Sequence, residues 1–167
     1  MTPPDASSTS QPNQRIISVG ADHAGFELKE FLKNSLENSG FEVIDVGCDS
    51  NNSVDYPDFG YKLTQTIESG RSPAGILCCG SGIGMSITAN KVHRIRAAVC
   101  HDELTAQMAK RHNDANVLCL PADLVGDALM QSIVKVWMNT EFEGGRHQRR
   151  VDKINEFEDN QCADKHK

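Results

Sequence analysis

Five short apolar runs alternate with stretches of helical period along this chain, and few folds accommodate that alternation. Ile16-Ile17-Ser18-Val19 is rich in β-branched residues and is closed by Gly20; Phe26, Leu28, Phe31, Leu32 and Leu36 then recur at helical spacing until Gly40. The pattern repeats as a strand at 41–46 and a helix around Phe59, Leu63 and Ile67, then a strand at 75–79 and a helix at 83–90. A strand at 97–100 precedes a helix through Leu104, Ala106, Met108 and Ala109. The last pair is a strand at 117–120 and a helix through Leu129, Ile133, Val136 and Trp137. Strands apolar on both faces predict a parallel sheet covered on both sides, an α/β Rossmann-like three-layer sandwich of five strands. In such open sheets ligands bind at the carboxyl ends of the strands, near the point where strand order reverses. The loops after Val19, Val46, Cys79, Cys100 and Leu120 are therefore where chemistry is expected. A final stripe of Val151, Ile154 and Phe157 either covers a sheet edge or packs on a second subunit.

At 167 residues the chain suffices for one domain, expected at 15–158. Residues 1–14, rich in Ser, Thr, Gln and Pro, read as a disordered tail, and the residues from about Asp159 onward as a frayed end. The tail has no Arg or Lys, which disfavours a transit peptide. No apolar stretch approaches the roughly 20 residues that cross a bilayer, so no membrane partner is expected. The net charge of −6 argues against nucleic acid, so an anionic ligand needs a local basic cluster. Six cysteines with no signal peptide and no C-x₂-C pair read as reduced, mostly structural thiols in a cytoplasmic protein, not as disulfides or a zinc site.

Cys79 is the exception. It ends an apolar strand and is followed by Gly80-Ser81-Gly82-Ile83-Gly84, a turn that aims backbone N–H groups at one spot beside a helix N-terminus. That spot suits a phosphate, an oxyanion or a thiolate. Other strand ends and loops carry Asp22-His23, Asp55-Tyr56-Pro57-Asp58, His101-Asp102 and His112-Asn113-Asp114. Taken singly, each reads as a cap, a turn or an exposed loop residue. Arg146-His147-Gln148-Arg149-Arg150 follows the Gly144-Gly145 pair and is either a solvated basic helix face or an anion site. Jointly these groups would serve proton transfer on a phosphorylated metabolite, because guanidinium forks match phosphate oxygens.

The ordered set of motifs resembles the type B ribose-5-phosphate isomerases and the related galactose-6-phosphate isomerase subunits. It comprises Gly20-Ala21-Asp22-His23-Ala24-Gly25-Phe26, Asp55-Tyr56-Pro57-Asp58, Cys79-Gly80-Ser81-Gly82-Ile83-Gly84, Ala89-Asn90-Lys91, Arg96-Ala97-Ala98, His112-Asn113-Asp114-Ala115-Asn116-Val117-Leu118 and Glu143-Gly144-Gly145-Arg146-His147. The resemblance implies interconversion of D-ribose 5-phosphate and D-ribulose 5-phosphate through a cis-enediolate, without metal or organic cofactor. It implies Cys79 as the base, lowered toward neutral pKa by the turn, with N–H groups of Gly80, Gly82, Ile83 and Gly84 receiving the enediolate. By the same resemblance Ser81 is expected to relay protons between the C1 and C2 oxygens and His112 to open the sugar ring. It also implies that Asp22 and Asn113 hold hydroxyls and that His23, Tyr56, Arg146, His147 and Arg150 contact substrate, the arginines at the phosphate.

By the same resemblance the partner is a second copy, in a homodimer with shared sites that in some members pairs into a tetramer. Three departures stand out. Met85 replaces a glutamate that one branch of the family uses as base. Asp123 replaces an arginine that binds phosphate, and is expected toward the substrate's far end. His93-Arg94 replaces a Pro-Gly pair and is expected to matter little. The alternatives are an isomerase of a six-carbon sugar phosphate and a noncatalytic sugar-phosphate binder.

Overall fold

The computed structural model describes residues 15–164; the tail expected at 1–14 lies outside them. The expected alternation is present: β1 (Arg15–Ala21), α1 (Phe26–Asn38), β2 (Phe41–Asp45), α2 (Tyr56–Glu68), β3 (Gly75–Cys79), α3 (Ile83–Ala89), β4 (Ala97–Val99), α4 (Glu103–Asn113), β5 (Val117–Pro121), α5 (Asp127–Asn139) and α6 (Arg146–Asp164). All five strands are parallel, in the order β2-β1-β3-β5-β4, so the order reverses between β1 and β3.

The period of two sorts the strand side chains between two cores. Ile17, Val19, Ile76, Cys78, Leu118 and Leu120 meet Leu28, Leu32, Met130, Ile133 and Trp137 from α1 and α5. Leu77, Cys79, Val117 and Cys119 meet Leu63, Met85 and Ala89 from α2 and α3. Cys78 and Cys79, adjacent in sequence, thus serve opposite faces. Asp102 caps α4 by accepting from the Thr105 N–H at 2.7 Å, the plain role its position suggested.

Two expectations are corrected. Helix α6 runs on to Asp164, past the point where fraying was expected, and polar contacts hold it as far as Asp159. Arg94 donates both to Glu158, through its backbone N–H at 3.0 Å, and to Asp159, through a guanidinium nitrogen at 2.9 Å; His93 stands 3.4 Å from Asp159. The His93-Arg94 pair is therefore a clamp on α6, and Arg94 makes it from a left-handed backbone (φ 61°). The stripe on α6 divides: Val151 is buried against the neighbouring α4, while Ile154 and Phe157 stay exposed.

Candidate active site

The reversal between β1 and β3 places Asp22 and Cys79 side by side, since Ala21 pairs with Cys78 and the Asp22 N–H donates to the Cys78 carbonyl. Asp22 is buried, and one carboxylate oxygen accepts from the Gly25 N–H at 3.0 Å. A Cβ on Gly25 would collide with the Cys78 carbonyl, so only glycine lets this turn settle onto β3. His23 Nδ1 accepts from the Val54 N–H at 3.2 Å, leaving Nε2 as the nitrogen with a proton to donate in the neutral ring. Tyr56 covers the first turn of α3 so closely that a Cβ on Gly84 would sit 2.6 Å from its ring.

The Cys79 turn forms because Gly82 adopts φ 75°, which lets α3 start immediately after β3. The Gly82 N–H donates to Cys79 Sγ at 3.2 Å, and the Ile83 N–H to Ser81 Oγ at 3.3 Å, leaving the serine proton free to be donated onward. The thiol itself is 4% exposed, among Leu77, Met85 and Cys119. Burial pushes it above the ordinary thiol value; N–H groups of Met85, Gly82 and Ser81 pull the other way, while Asp22 adds to the rise. The expected depression toward neutrality is thus corrected: the turn supplies its donors, but desolvation outweighs them.

This sets a pH dependence. If Cys79 must be ionised in the free protein, kcat/KM rises with pH, and that rise is centred above the ordinary thiol value of 9.0. A rate profile that levels near pH 7 would place the titrating base elsewhere.

The remaining expected residues gather at the other end of the sheet. Helix α4 follows the carboxyl end of β4 and returns to the amino ends, where the Gly75 N–H at the start of β3 donates to the Asn116 carbonyl. Asn113 and His112 therefore lie a strand length from Cys79, about 13 Å along β3. Helix α6 begins beside them, because the Glu143 N–H donates to the Arg111 carbonyl. The rings of His112 and His147 stack with centroids 4.2 Å apart and planes 3° from parallel. Burial first, then His112 and Arg146, holds His147 below the ordinary imidazole value. Arg146 and Arg150 are exposed on the first turns of α6. Every arginine among the described residues, from Arg15 at the start of β1 to Arg150, belongs to a segment at this amino end.

His112, Glu143 and His147 each offer one ligand atom, all within 4.8 Å of one another. Two parallel stacked imidazoles do not converge their lone pairs on one ion. Arg111 also occupies Glu143 at 2.7 Å, so the cluster's one carboxylate is already paired with a cation.

Sequence reasoning missed Lys29, which is buried at 2% exposure behind the cleft. Its ammonium donates to Asp45 at 2.9 Å and to the Cys48 carbonyl at 2.9 Å, fixing the loop after β2 beside Asp22. Burial alone would lower this lysine, but Glu30 and Asp45 outweigh it and keep it charged. Asp123 is also misplaced by the sequence reading: its N–H donates to the Gly80 carbonyl at 3.0 Å, so it adjoins the thiol turn and not the far end.

Among known proteins, the family model described as Ribose/Galactose Isomerase matches residues 17–154. The chain is 43% identical over 142 residues to ribose-5-phosphate isomerase B of Escherichia coli, covering 85% of this chain and 95% of that one. It is also 43% identical over 143 residues to D-erythrulose-4-phosphate isomerase of Pectobacterium atrosepticum, covering 85% and 94%. Among solved structures, ribose-5-phosphate isomerase B of Clostridium thermocellum superposes with a TM-score of 0.86 at 49% identity. That match covers 87% of this chain and 99% of that one. No helix among the described residues is long and apolar enough to cross a membrane.

Proposed function

Because the chain belongs to the ribose/galactose isomerase family, we propose that it interconverts D-ribose 5-phosphate and D-ribulose 5-phosphate in a site shared by two copies. It is an aldose–ketose isomerase. The observation that carries the shared site is the separation just described. One chain offers Cys79, Ser81, Asp22, His23 and Tyr56 at one end of the sheet and His112, Asn113, Arg146, His147 and Arg150 at the other. No arginine of the same chain reaches the thiol, so the phosphate of a substrate at Cys79 is held by the second copy. Exposed Ile83, Ile87, Leu104 and Met108 on α3 and α4 flank the unpaired edge of β4, with Ile154 and Phe157 beside them on α6. That apolar surface favours a homodimer.

In this reading His112 of the second copy gives a proton to the ring oxygen, and the open aldehyde lies over the Cys79 turn. Cys79 then takes the C2 proton. A thiolate of raised pKa is scarce but strongly basic, which suits proton abstraction from carbon. Once the sulfur is protonated it no longer needs the N–H groups of Gly82 and its neighbours, and these receive the enediolate oxygen as charge moves to it. Ser81 passes the proton between O1 and O2, and Cys79 returns its own at C1. Asp22 and Asn113 hold hydroxyls. The described cysteines are free and buried, in keeping with the cytoplasm.

Relatives at equal identity are named for five- and four-carbon substrates, so sugar length is what an assay must resolve. Purified protein is expected to give its highest kcat/KM with ribose 5-phosphate, against D-erythrulose 4-phosphate and allose and galactose 6-phosphates. A higher value for any of these transfers the assignment to that sugar. No turnover of any would leave a noncatalytic binder.

A further inference from the structure

We propose that Asp123 fixes the direction in which a sugar phosphate lies in the cleft, by keeping the phosphate off the Cys79 turn. The proposal rests on the isomerase reading above. The loop between β5 and α5 is held onto that turn: the Ala122 N–H donates to the Cys79 carbonyl at 2.9 Å, and the Asp123 N–H to the Gly80 carbonyl at 3.0 Å. From there the Asp123 carboxylate folds over Gly80, with Oδ2 2.5 Å from where a Cβ on Gly80 would stand. Ala24, in the loop after β1, borders the same spot. Among the described residues no donor or cation pairs with this carboxylate. It is an exposed, uncompensated negative charge set beside an anion receptor.

The turn can take two anionic guests from the same molecule. With the aldehyde end inward, it meets a neutral carbonyl that becomes a single negative charge as the enediolate forms. With the phosphate end inward, it meets a dianion, and C2 lies out of the thiol's reach. Repulsion scales with charge, so Asp123 penalises the reversed dianion about twice as much as the enediolate and hardly touches the incoming carbonyl. A neutral side chain there would leave the turn free to hold phosphate, as helix N-terminal glycine turns commonly do. The carboxylate thus selects orientation by making the wrong one repulsive.

The test is Asp123→Asn, which keeps the side chain's shape and the backbone bond to Gly80 and removes the charge. Calorimetric titration with inorganic phosphate is expected to show binding tightened by about tenfold or more in the variant. With ribose 5-phosphate, kcat and KM are expected to fall, KM by more, because reversed substrate competes with productive substrate while relief of the enediolate's smaller penalty raises kcat/KM by about threefold. Unchanged phosphate affinity would overturn the proposal. So would a lower KM with kcat retained, since the carboxylate would then face the phosphate of productively bound substrate. Failure of the wild-type protein to turn over ribose 5-phosphate would defeat the isomerase reading, and the phosphate titration would still judge Asp123.

Discussion

Cys79→Ala is expected to lower kcat for ribose 5-phosphate by about 10³-fold or more, the upper range for a positioned general base, while the chain stays folded. The side chain lies at the end of β3 with one face in the smaller core, so its loss removes a single buried sulfur and leaves the sheet register intact. The Asp22 turn is held by the Cys78 backbone, which the substitution does not touch. Deuterium exchange from solvent into C2 of the substrate should vanish with turnover, because the proposed base that takes the proton from carbon is gone. Circular dichroism and thermal melting monitor the fold. A folded Cys79→Ala protein with turnover near wild type would remove the thiol from the mechanism.

The second large effect comes from mixing two dead proteins. His112→Ala is expected to lose ring opening, a step worth about 10²–10⁴-fold when supplied by a positioned acid. If each site takes its thiol from one copy and its imidazole from the other, a mixed dimer of Cys79→Ala and His112→Ala chains contains one intact site and one doubly defective site. Random reassortment makes half of all dimers mixed, so about one quarter of wild-type activity should return. Mixing without subunit exchange, checked by omitting a mild denaturation and refolding step, should return none. Activity that stays at the level of the separate variants after proven exchange would mean that each chain builds its site alone.

The sheet was legible because its strands are apolar on both faces, a pattern that leaves little but a covered parallel sheet. Cys79, Asp22 and the glycine turn were legible for the same reason, since the strand ends are where such a sheet presents chemistry. The alternation also implied more than it was asked. A helix after a parallel strand must return to the amino end, so His112, at the end of α4, could never share an end with Cys79 of its own chain. What the sequence concealed depends on distance through space. Lys29 lies on a helix among polar residues and reads as solvent-facing, and Glu30, Asp45 and the Cys48 carbonyl make its burial tolerable. The donors around Cys79 belong to the turn at 81–85, which the glycines announce, but the burial that outweighs them comes from Leu77, Met85 and Cys119. Asp123 seemed remote because it stands where the resemblance puts a phosphate-binding arginine, yet β5 is the neighbour of β3 and delivers it to Gly80.

The depth of Cys79 has one more consequence, for the chemical durability of the protein. Cysteines that are exposed and readily ionised attack electrophiles and are consumed by peroxide. This sulfur is 4% exposed and holds its proton tightly at rest, so alkylating agents and oxidants find little thiolate to meet. The same burial that keeps the thiolate scarce keeps the sulfur from being spent, which suits the proposed role of a thiol that exchanges protons with carbon without forming bonds to it.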